Sequence, residues 1–156
     1  MDLLMIKTHE HFMKLALEEA KKAGQIGEVP VGAVLVAQNG KILSAAYNQT
    51  IKMADPTAHA EVLALRQAAS IICNYRLLNT ILYVTVEPCI MCMGAIVHAR
   101  VSTVAFGTFD PKWGAAGSLY NFTQDDRLNH QVEVLTGILE EDCRKLMQDF
   151  FRSKRI

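Results

Sequence analysis

The sequence predicts an α/β fold in which helices pack on both faces of a mixed β-sheet. Helix-like and strand-like stretches alternate along the chain, which is typical of layered α/β architectures. Residues 81–86 are almost continuously apolar, as expected for a strand that is covered on both faces. Asn39-Gly40 separates two β-rich runs and predicts a hairpin, which contributes an antiparallel pair to the sheet.

The first half of the chain predicts a helix, the hairpin and a second helix. Apolar residues in 8–23 recur on one helical face, and Gly24 is expected to end that helix. Residues 31–37 and 42–47 form the hairpin strands, joined by a type I′ turn. Asp55-Pro56 then opens the second helix, because proline suits the first helical position.

The second half continues the alternation after the apolar strand. Glu87-Pro88 opens a third helix that extends to about residue 98. Residues 104–106 form a strand, 107–118 a glycine-rich loop, 131–135 a last strand and 138–152 a closing helix. A chain of 156 residues with no repeat or linker predicts a single domain over 1–156.

The composition excludes several classes of protein. The chain is 51% hydrophobic and has no low-complexity run, which argues against disorder. Its formal net charge is zero, so charge alone does not indicate a nucleic-acid partner. No apolar run approaches the ~18 residues of a membrane span. The first six residues are too short for a signal peptide, and we expect a cytoplasmic protein.

The segments around His59 and Cys89 carry the chemistry. Cys89 and Cys92 are three residues apart, which places two thiolates on one face of a helix. His59 can supply a third ligand, and three protein ligands leave the fourth position of tetrahedral Zn²⁺ open, as in catalytic sites. H-x-E followed by P-C-x-x-C is the pattern of zinc-dependent nucleobase deaminases. Glu61 would carry protons to and from a water activated by the metal.

One geometric difficulty accompanies this assignment. Residues i and i+2 of a regular helix face different directions, so His59 and Glu61 cannot both point into one site from within it. Either His59 lies at the edge of the first turn, or the two side chains reach neighbouring parts of one pocket.

Other interpretations of these residues exist. Cys89 and Cys92 could form a redox pair or be two buried thiols. Cys73 and Cys143 have no partner pattern, and both are expected to be small buried or half-buried residues. The remaining histidines are expected not to bind metal: His9, His11, His98 and His130.

Five segments together resemble the bacterial tRNA-specific adenosine deaminases, a family of the cytidine and deoxycytidylate deaminase superfamily. They are V-P-V-G-A-V-L-V at 29–36, D-P-T-A-H-A-E at 55–61, E-P-C-x-M-C at 87–92, G-A-A-G-S at 114–118 and D-F-F-R at 149–152. The metal motifs alone are shared with guanine, cytosine and riboflavin-pathway deaminases. The G-A-A-G-S loop and the F-F-R ending are more discriminating.

The resemblance implies a three-layer α/β/α cytidine-deaminase-like fold with a central mixed five-stranded sheet. It implies a homodimer with one Zn²⁺ per subunit that converts adenosine to inosine at the first (wobble) anticodon position of tRNA. Zinc-bound hydroxide would attack carbon 6 of the adenine while Glu61 shuttles protons.

The same resemblance assigns roles to individual residues. His59, Cys89 and Cys92 match the zinc ligands, and Glu61 matches the proton shuttle. The residues that match contacts to the anticodon stem-loop are Asn48, Asp110, Phe151 and Arg152. Residues 49–53 and 109–113 depart from the family pattern.

Two other functions fit part of the sequence. A small-molecule deaminase acting on guanine or a related base would keep the metal site and need no RNA surface. A non-catalytic zinc fold could act as a dimerisation module, but such a site has no use for Glu61 as a proton carrier.

Overall fold

The structure, a computed structural model, describes residues 1–155. The elements in chain order are α1 (Leu3–Gln25), β1 (Gly32–Ala37), β2 (Ile42–Tyr47), α2 (Ala60–Ile72), β3 (Thr80–Val86), α3 (Ile90–His98), β4 (Thr103–Thr108), β5 (Glu133–Leu135) and α4 (Glu140–Lys154). Among these residues no helix is long and apolar enough to cross a membrane.

The five strands form one mixed sheet in the order β2-β1-β3-β4-β5. Strand β1 is antiparallel to both β2 and β3, whereas β3, β4 and β5 are parallel to one another. Four strands therefore run in one direction and β1 runs against them. The predicted mixed five-stranded sheet is confirmed.

Alternating strand residues feed two hydrophobic cores on the two faces of the sheet. Val34 and Val36 of β1 pack with Phe12 and Met13 of α1. Leu35, between them, faces the other core, which contains residues of α2 and α3. The period of two in a strand thus distributes one sequence between two layers of helices. Helices α1 and α4 cover one face and α2 and α3 the other, which confirms the three-layer α/β/α fold.

One edge of the sheet collects the ends of three strands. Val86 of β3 is paired with Thr108 of β4, and Tyr47 of β2 lies opposite Gly32 at the start of β1. Because β2, β3 and β4 run in the same direction, the residues that follow them emerge together. Binding sites of α/β sheets commonly lie at the carboxyl ends of strands.

Helix α1 is longer than the sequence suggested at both ends. It begins at Leu3, where Asp2 Oδ1 accepts a 2.8 Å hydrogen bond from the backbone N–H of Met5. It continues through Gly24 and ends at Gln25. Gly27, not Gly24, takes the left-handed backbone after the helix, with φ +82°. Glycine inside a helix costs only about 0.5–1 kcal/mol relative to alanine, so Gly24 did not end the helix.

The predicted hairpin between β1 and β2 is confirmed, but the prediction that its turn is type I′ was wrong. Gly40 takes a φ of +87°, whereas Asn39 does not have the positive φ that a type I′ turn requires of both central residues. Ala37 donates to the carbonyl of Lys41, and Asn39 Oδ1 accepts from the N–H of Lys41 at 3.0 Å. The side chain of Asn39 stabilises a longer loop in this way.

The two helices of the predicted metal site begin later than expected. Helix α2 starts at Ala60 and not at Asp55-Pro56, and α3 starts at Ile90 and not at Glu87-Pro88. In both cases the acid-proline pair lies in the loop before the helix. The later strands and α4 differ from expectation by a few residues at their ends. Cys73 is exposed, contrary to expectation, and Cys143 is buried as expected.

Candidate metal centre and active site

His59, Cys89 and Cys92 lie together at the sheet edge. Their ligand atoms are all within 4.8 Å of one another. Within residues 1–155 this is the cluster of His, Cys, Asp or Glu side chains that could hold a metal ion. His59 Nδ1 is 3.6 Å from the sulfur of Cys89 and 3.5 Å from that of Cys92. Zn–S distances of about 2.3 Å and a Zn–N distance of about 2.0 Å set the N···S edge of a tetrahedron at about 3.5 Å. Both N···S distances therefore fit a zinc ion held by these three residues.

His59 and Cys89 occupy equivalent positions at the starts of α2 and α3. Each is the N-cap residue, with extended backbone angles of φ −75° and ψ 152° for His59 and φ −75° and ψ 176° for Cys89. Their side chains therefore leave the chain before the helical geometry begins. Cys92, one turn into α3, points to the same place and is fully buried. Cys89 reaches the site from the N-cap position and Cys92 from the first turn of α3. They do not share one face of a regular helix.

This cap position also resolves the spacing of His59 and Glu61. His59 lies outside the helix and Glu61 is the second residue within it, so the i, i+2 rule for a regular helix does not apply. Glu61 is only 4% exposed. Its carboxyl group is close enough to the side chains of Cys92 and His59 for both to act on its pKa. The structure therefore places the predicted proton carrier against the predicted metal ligands.

Asn48 supplies the helix cap that His59 does not. The side chain of His59 makes no capping hydrogen bond, which leaves its ring for the metal. Asn48, at the end of β2, accepts the N–H of Ala60 with its Oδ1 at 2.7 Å. The Asn48 side chain is 8% exposed and its amide N–H₂ remains as a donor. The predicted substrate contact is thus also part of the support of the metal site.

The pKa values of the two thiols are shifted in opposite directions. A hydrogen bond from Cys92 lowers the pKa of the Cys89 thiol to about 4, with His59 acting in the same direction and burial opposing. The same hydrogen bond, together with burial, raises the pKa of Cys92. Zinc requires both sulfurs as thiolates, so metal binding is coupled to the release of protons from the thiols. The hydrogen bond to Cys89 also raises the pKa of His59.

The environment of Glu61 favours its neutral form. Burial raises the pKa of this carboxyl, and the hydrogen bond from Cys92 and the charge of His59 oppose that effect. A raised pKa brings a carboxyl nearer to the working pH, where it can both accept and return a proton.

Two buried glutamates, Glu28 and Glu87, hold the loops around the site, and the sequence predicted a loop-binding role for neither. Glu28 is 1% exposed and accepts hydrogen bonds from the N–H groups of Ile51 and Lys52 at 2.8 and 2.9 Å and from the hydroxyl of Thr50 at 3.1 Å. It fixes the segment between Asn48 and His59. A glutamate before V-P-V-G offered no sequence signal of burial.

Glu87 is the second of these carboxylates and is 3% exposed. It accepts hydrogen bonds from the N–H groups of Asp110, Ala116 and Ser118, each at 3.0 Å, and from the hydroxyl of Ser118. All these donors belong to the loop after β4. No local pattern in the sequence indicates that the glutamate before P-C-x-x-C is buried.

Asp110, a predicted RNA contact, emerges at the same edge as the metal ligands. It follows β4 directly after Phe109, and its backbone N–H binds Glu87. Its Oδ1 accepts from the N–H groups of Lys112 and Trp113 at 3.1 and 3.3 Å, which closes a turn. Its second carboxylate oxygen remains for a ligand.

Helix α4 lies on the opposite face of the sheet from α2 and α3. Leu139, just before α4, lines a cavity with Leu135, which pairs with Ala105 of β4. A Cβ on Gly107 would lie 2.3 Å from the sulfur of Cys143. The helix therefore advances along β4 towards the edge that carries the metal ligands. Phe151 and Arg152, near its end, are exposed and line a surface depression with Arg155.

Comparison with known proteins places these features in a family. The family model of the cytidine and deoxycytidylate deaminase zinc-binding region matches residues 6–108. The chain is 50% identical over 146 residues to the tRNA-specific adenosine deaminase of Haemophilus influenzae, which covers 94% of this chain and 84% of that protein.

Solved structures agree with that placement. A protein from a study of A-to-I editing by tRNA:A34 deaminases at the wobble position has a TM-score of 0.84 and 41% identity, covering 87% of this chain and 98% of its own. The guanine deaminase of Bacillus subtilis is also 41% identical, with a TM-score of 0.61, but it covers 65% of this chain and 64% of its own.

Proposed function

Because this chain belongs to the cytidine and deoxycytidylate deaminase family, and within it to the tRNA-specific adenosine deaminases, we propose that it converts adenosine to inosine at the first anticodon position of tRNA. Residues 1–156 act as one zinc-dependent deaminase domain in the cytoplasm. The observation that carries the proposal is the arrangement of His59, Cys89 and Cys92 for zinc with the buried carboxyl of Glu61 beside Cys92.

The residues of the site divide the chemistry between them. His59, Cys89 and Cys92 hold the metal, which when bound supplies the Lewis acidity that makes water a nucleophile near neutral pH. Glu61 accepts a proton from the attacking water and delivers it to the ring nitrogen N1 as the C6–O bond forms. It then transfers the second proton to the amine as the C6–N bond breaks. Water is consumed, ammonia leaves, and the inosine carbonyl remains.

Recognition of the nucleoside and of the RNA uses other groups at this edge. The free amide N–H₂ of Asn48 donates to the target nucleoside, while its Oδ1 stays on Ala60. The free carboxylate oxygen of Asp110 accepts a hydrogen bond from a ribose 2′-hydroxyl. DNA lacks this hydroxyl, so the contact favours RNA. Phe151 and Arg152 offer an aromatic and a guanidinium surface to the splayed bases of the anticodon loop.

The protein acts as a homodimer in this proposal. Cys89 pairs with Gly114 in an isolated β-bridge, so their neighbours Ile90 and Trp113 lie close together. Both residues are apolar, with exposed fractions of 49% and 66%, and we assign them to the subunit interface. Sedimentation of a Trp113→Glu variant should shift towards monomer, whereas Ile71→Glu, at a residue 63% exposed on α2, should not.

The test is inosine formation from an anticodon stem-loop RNA carrying A-C-G. The same loop without its wobble adenosine, and free adenine, guanine and cytosine with their nucleosides, are assayed in parallel. Inosine only in the first RNA, lost in Glu61→Ala, is the expected result. An inactive zinc-loaded protein would instead support a non-catalytic zinc fold.

The second candidate is a guanine deaminase, favoured by the 41% identity to the Bacillus subtilis enzyme. The longer match to the tRNA-specific relative, over 94% of this chain, argues for RNA. Release of xanthine from guanine with the RNA unchanged would decide for the second candidate and keep the zinc mechanism.

A further inference from the structure

We propose that Glu87 is a positioning residue for RNA binding, because its carboxylate is the template on which residues 109–118 fold. This inference rests on the proposed function, since it gives Asp110 its place beside the substrate. Glu87 makes no contact with a reacting atom in that mechanism, and it acts through the loop.

The hydrogen bonds around Glu87 require a carboxylate. Oε1 accepts from the N–H of Asp110 and the hydroxyl of Ser118, and Oε2 accepts from the N–H groups of Ala116 and Ser118. Three of the four partners are backbone N–H groups, which can only donate. A glutamine amide has the same shape, but in either orientation its N–H₂ faces at least one of these N–H groups and leaves it buried and opposed by a like partial charge.

The loop is shaped to lie directly over this carboxylate. A Cβ at Gly114 would be 2.2 Å from Glu87 Cδ and 2.3 Å from Oε1, so only glycine allows the chain to pass there. The N–H of Ala115 also donates to the carbonyl of Pro88 at 2.8 Å. The loop is therefore bound to the segment that leads from β3 to the metal ligand Cys89.

Asp110 is held at both of its ends by this arrangement. Its N–H binds Glu87, and its carbonyl accepts the N–H of Gly114 at 2.8 Å. Its Oδ1 is occupied by the turn. The position of the remaining oxygen is thus set by the Glu87 carboxylate, two residues before a metal ligand, which aligns the RNA contact with the metal site.

The experiment compares Glu87→Gln with the wild-type holoenzyme on the stem-loop RNA. We expect KM to rise on the order of tenfold or more while kcat changes by less than about threefold. Zinc content should be unchanged, and amide hydrogen exchange in residues 109–118 should accelerate. Ser118→Ala, which removes only the hydroxyl donor, should give a smaller change in the same direction. Glu141→Gln, whose side chain is 84% exposed, is the control and should change nothing.

A double-mutant cycle with Asp110→Ala separates positioning from general destabilisation. If Glu87 acts through Asp110, the KM penalty of Asp110→Ala shrinks in the Glu87→Gln background. Additive penalties, unchanged exchange in residues 109–118, or a loss of kcat and zinc together would overturn the inference. If wild-type protein makes no inosine from RNA, the proposed function fails on its own, and amide exchange then decides whether Glu87 organises the loop.

Discussion

The metal-binding edge of the sheet and the end of helix α4 differ in how their functional side chains are held. Cys92, Glu61 and Asn48 are 0%, 4% and 8% exposed, whereas Phe151 is 42% exposed and the Arg152 side chain 76%. Of the residues described in α4, Cys143 is buried and the others are half-buried or exposed. Groups that must hold a reactive geometry are fixed by the protein itself, and groups proposed to meet RNA are left free to adjust.

The same contrast appears in the polar contacts. At the edge, Asn48 and Glu87 have partners inside the protein, Asn48 in Ala60 and Glu87 in the loop after β4. On α4, Arg152 faces Asp149 at 3.5 Å with both side chains more than half exposed, a pair that contributes little to stability. Mutations at the edge should therefore disturb the folded site together with whatever chemistry or binding it supports, and mutations on α4 should change RNA affinity alone.

Removal of zinc should have the largest effect. The ion joins the starts of α2 and α3, so chelation should abolish inosine formation and lower the thermal midpoint of unfolding. With free zinc about a thousandfold above its Kd, the binding contributes about 4 kcal/mol to stability. Cys89→Ala should be inactive and should not respond to chelator in a thermal melt. A midpoint that is identical with and without zinc would contradict this.

Glu61→Gln should have the next largest effect, and it should be confined to chemistry. Loss of the proton carrier should lower kcat by about 10²–10⁴-fold in single-turnover assays at saturating RNA. Stability should not fall, because an amide avoids the cost of burying a charged carboxylate. A variant that loses zinc or unfolds would show that Glu61 is mainly structural.

Substitutions at Asn48 should separate the support of the site from binding. Asn48→Ala removes the cap of α2 and should cost about 0.5–2 kcal/mol in free energy of unfolding, in addition to raising KM. Asn48→Asp keeps an acceptor for the N–H of Ala60 and loses the amide donor. It should therefore retain more stability than the alanine variant in urea unfolding and still raise KM. Equal stability of the two variants would exclude the capping role.

Substitutions on α4 should have the smallest effects. Arg152→Ala and Phe151→Ala should each weaken stem-loop binding by a few-fold, about 1 kcal/mol, with unchanged kcat and thermal midpoint. If Arg152 contacts a phosphate, its loss should also reduce the slope of log K against log salt by about one. Arg144→Ala, on the same helix but paired with Glu140 and Glu141, is the matched control. A similar loss of affinity in Arg144→Ala would mean that removing any positive charge from α4 weakens RNA binding, without a specific contact of Arg152.

The sequence was most informative where spacing and chemistry coincide. H-A-E and P-C-x-x-C predicted the metal group because few other uses combine those residue types, and the structure brings all three ligands together. The strands were predicted within a few residues because a covered strand must be apolar. Local signals for helix ends were less reliable. Gly24 and the two acid-proline pairs each had a local meaning that tertiary packing overrode.

By itself, the sequence predicted the layered α/β class from periodicity, a His/Cys/Cys metal group from residue type and spacing, and the family from the resemblance of five segments. Only the tertiary structure decided that His59 and Cys89 are cap residues, that Asn48 caps a helix 12 residues away along the chain, and that Glu28 and Glu87 are buried. A carboxylate stays in contact with water unless hydrogen-bond donors of the folded protein surround it. The donors around Glu87 lie 23 to 31 residues further along the chain, beyond the reach of any local pattern.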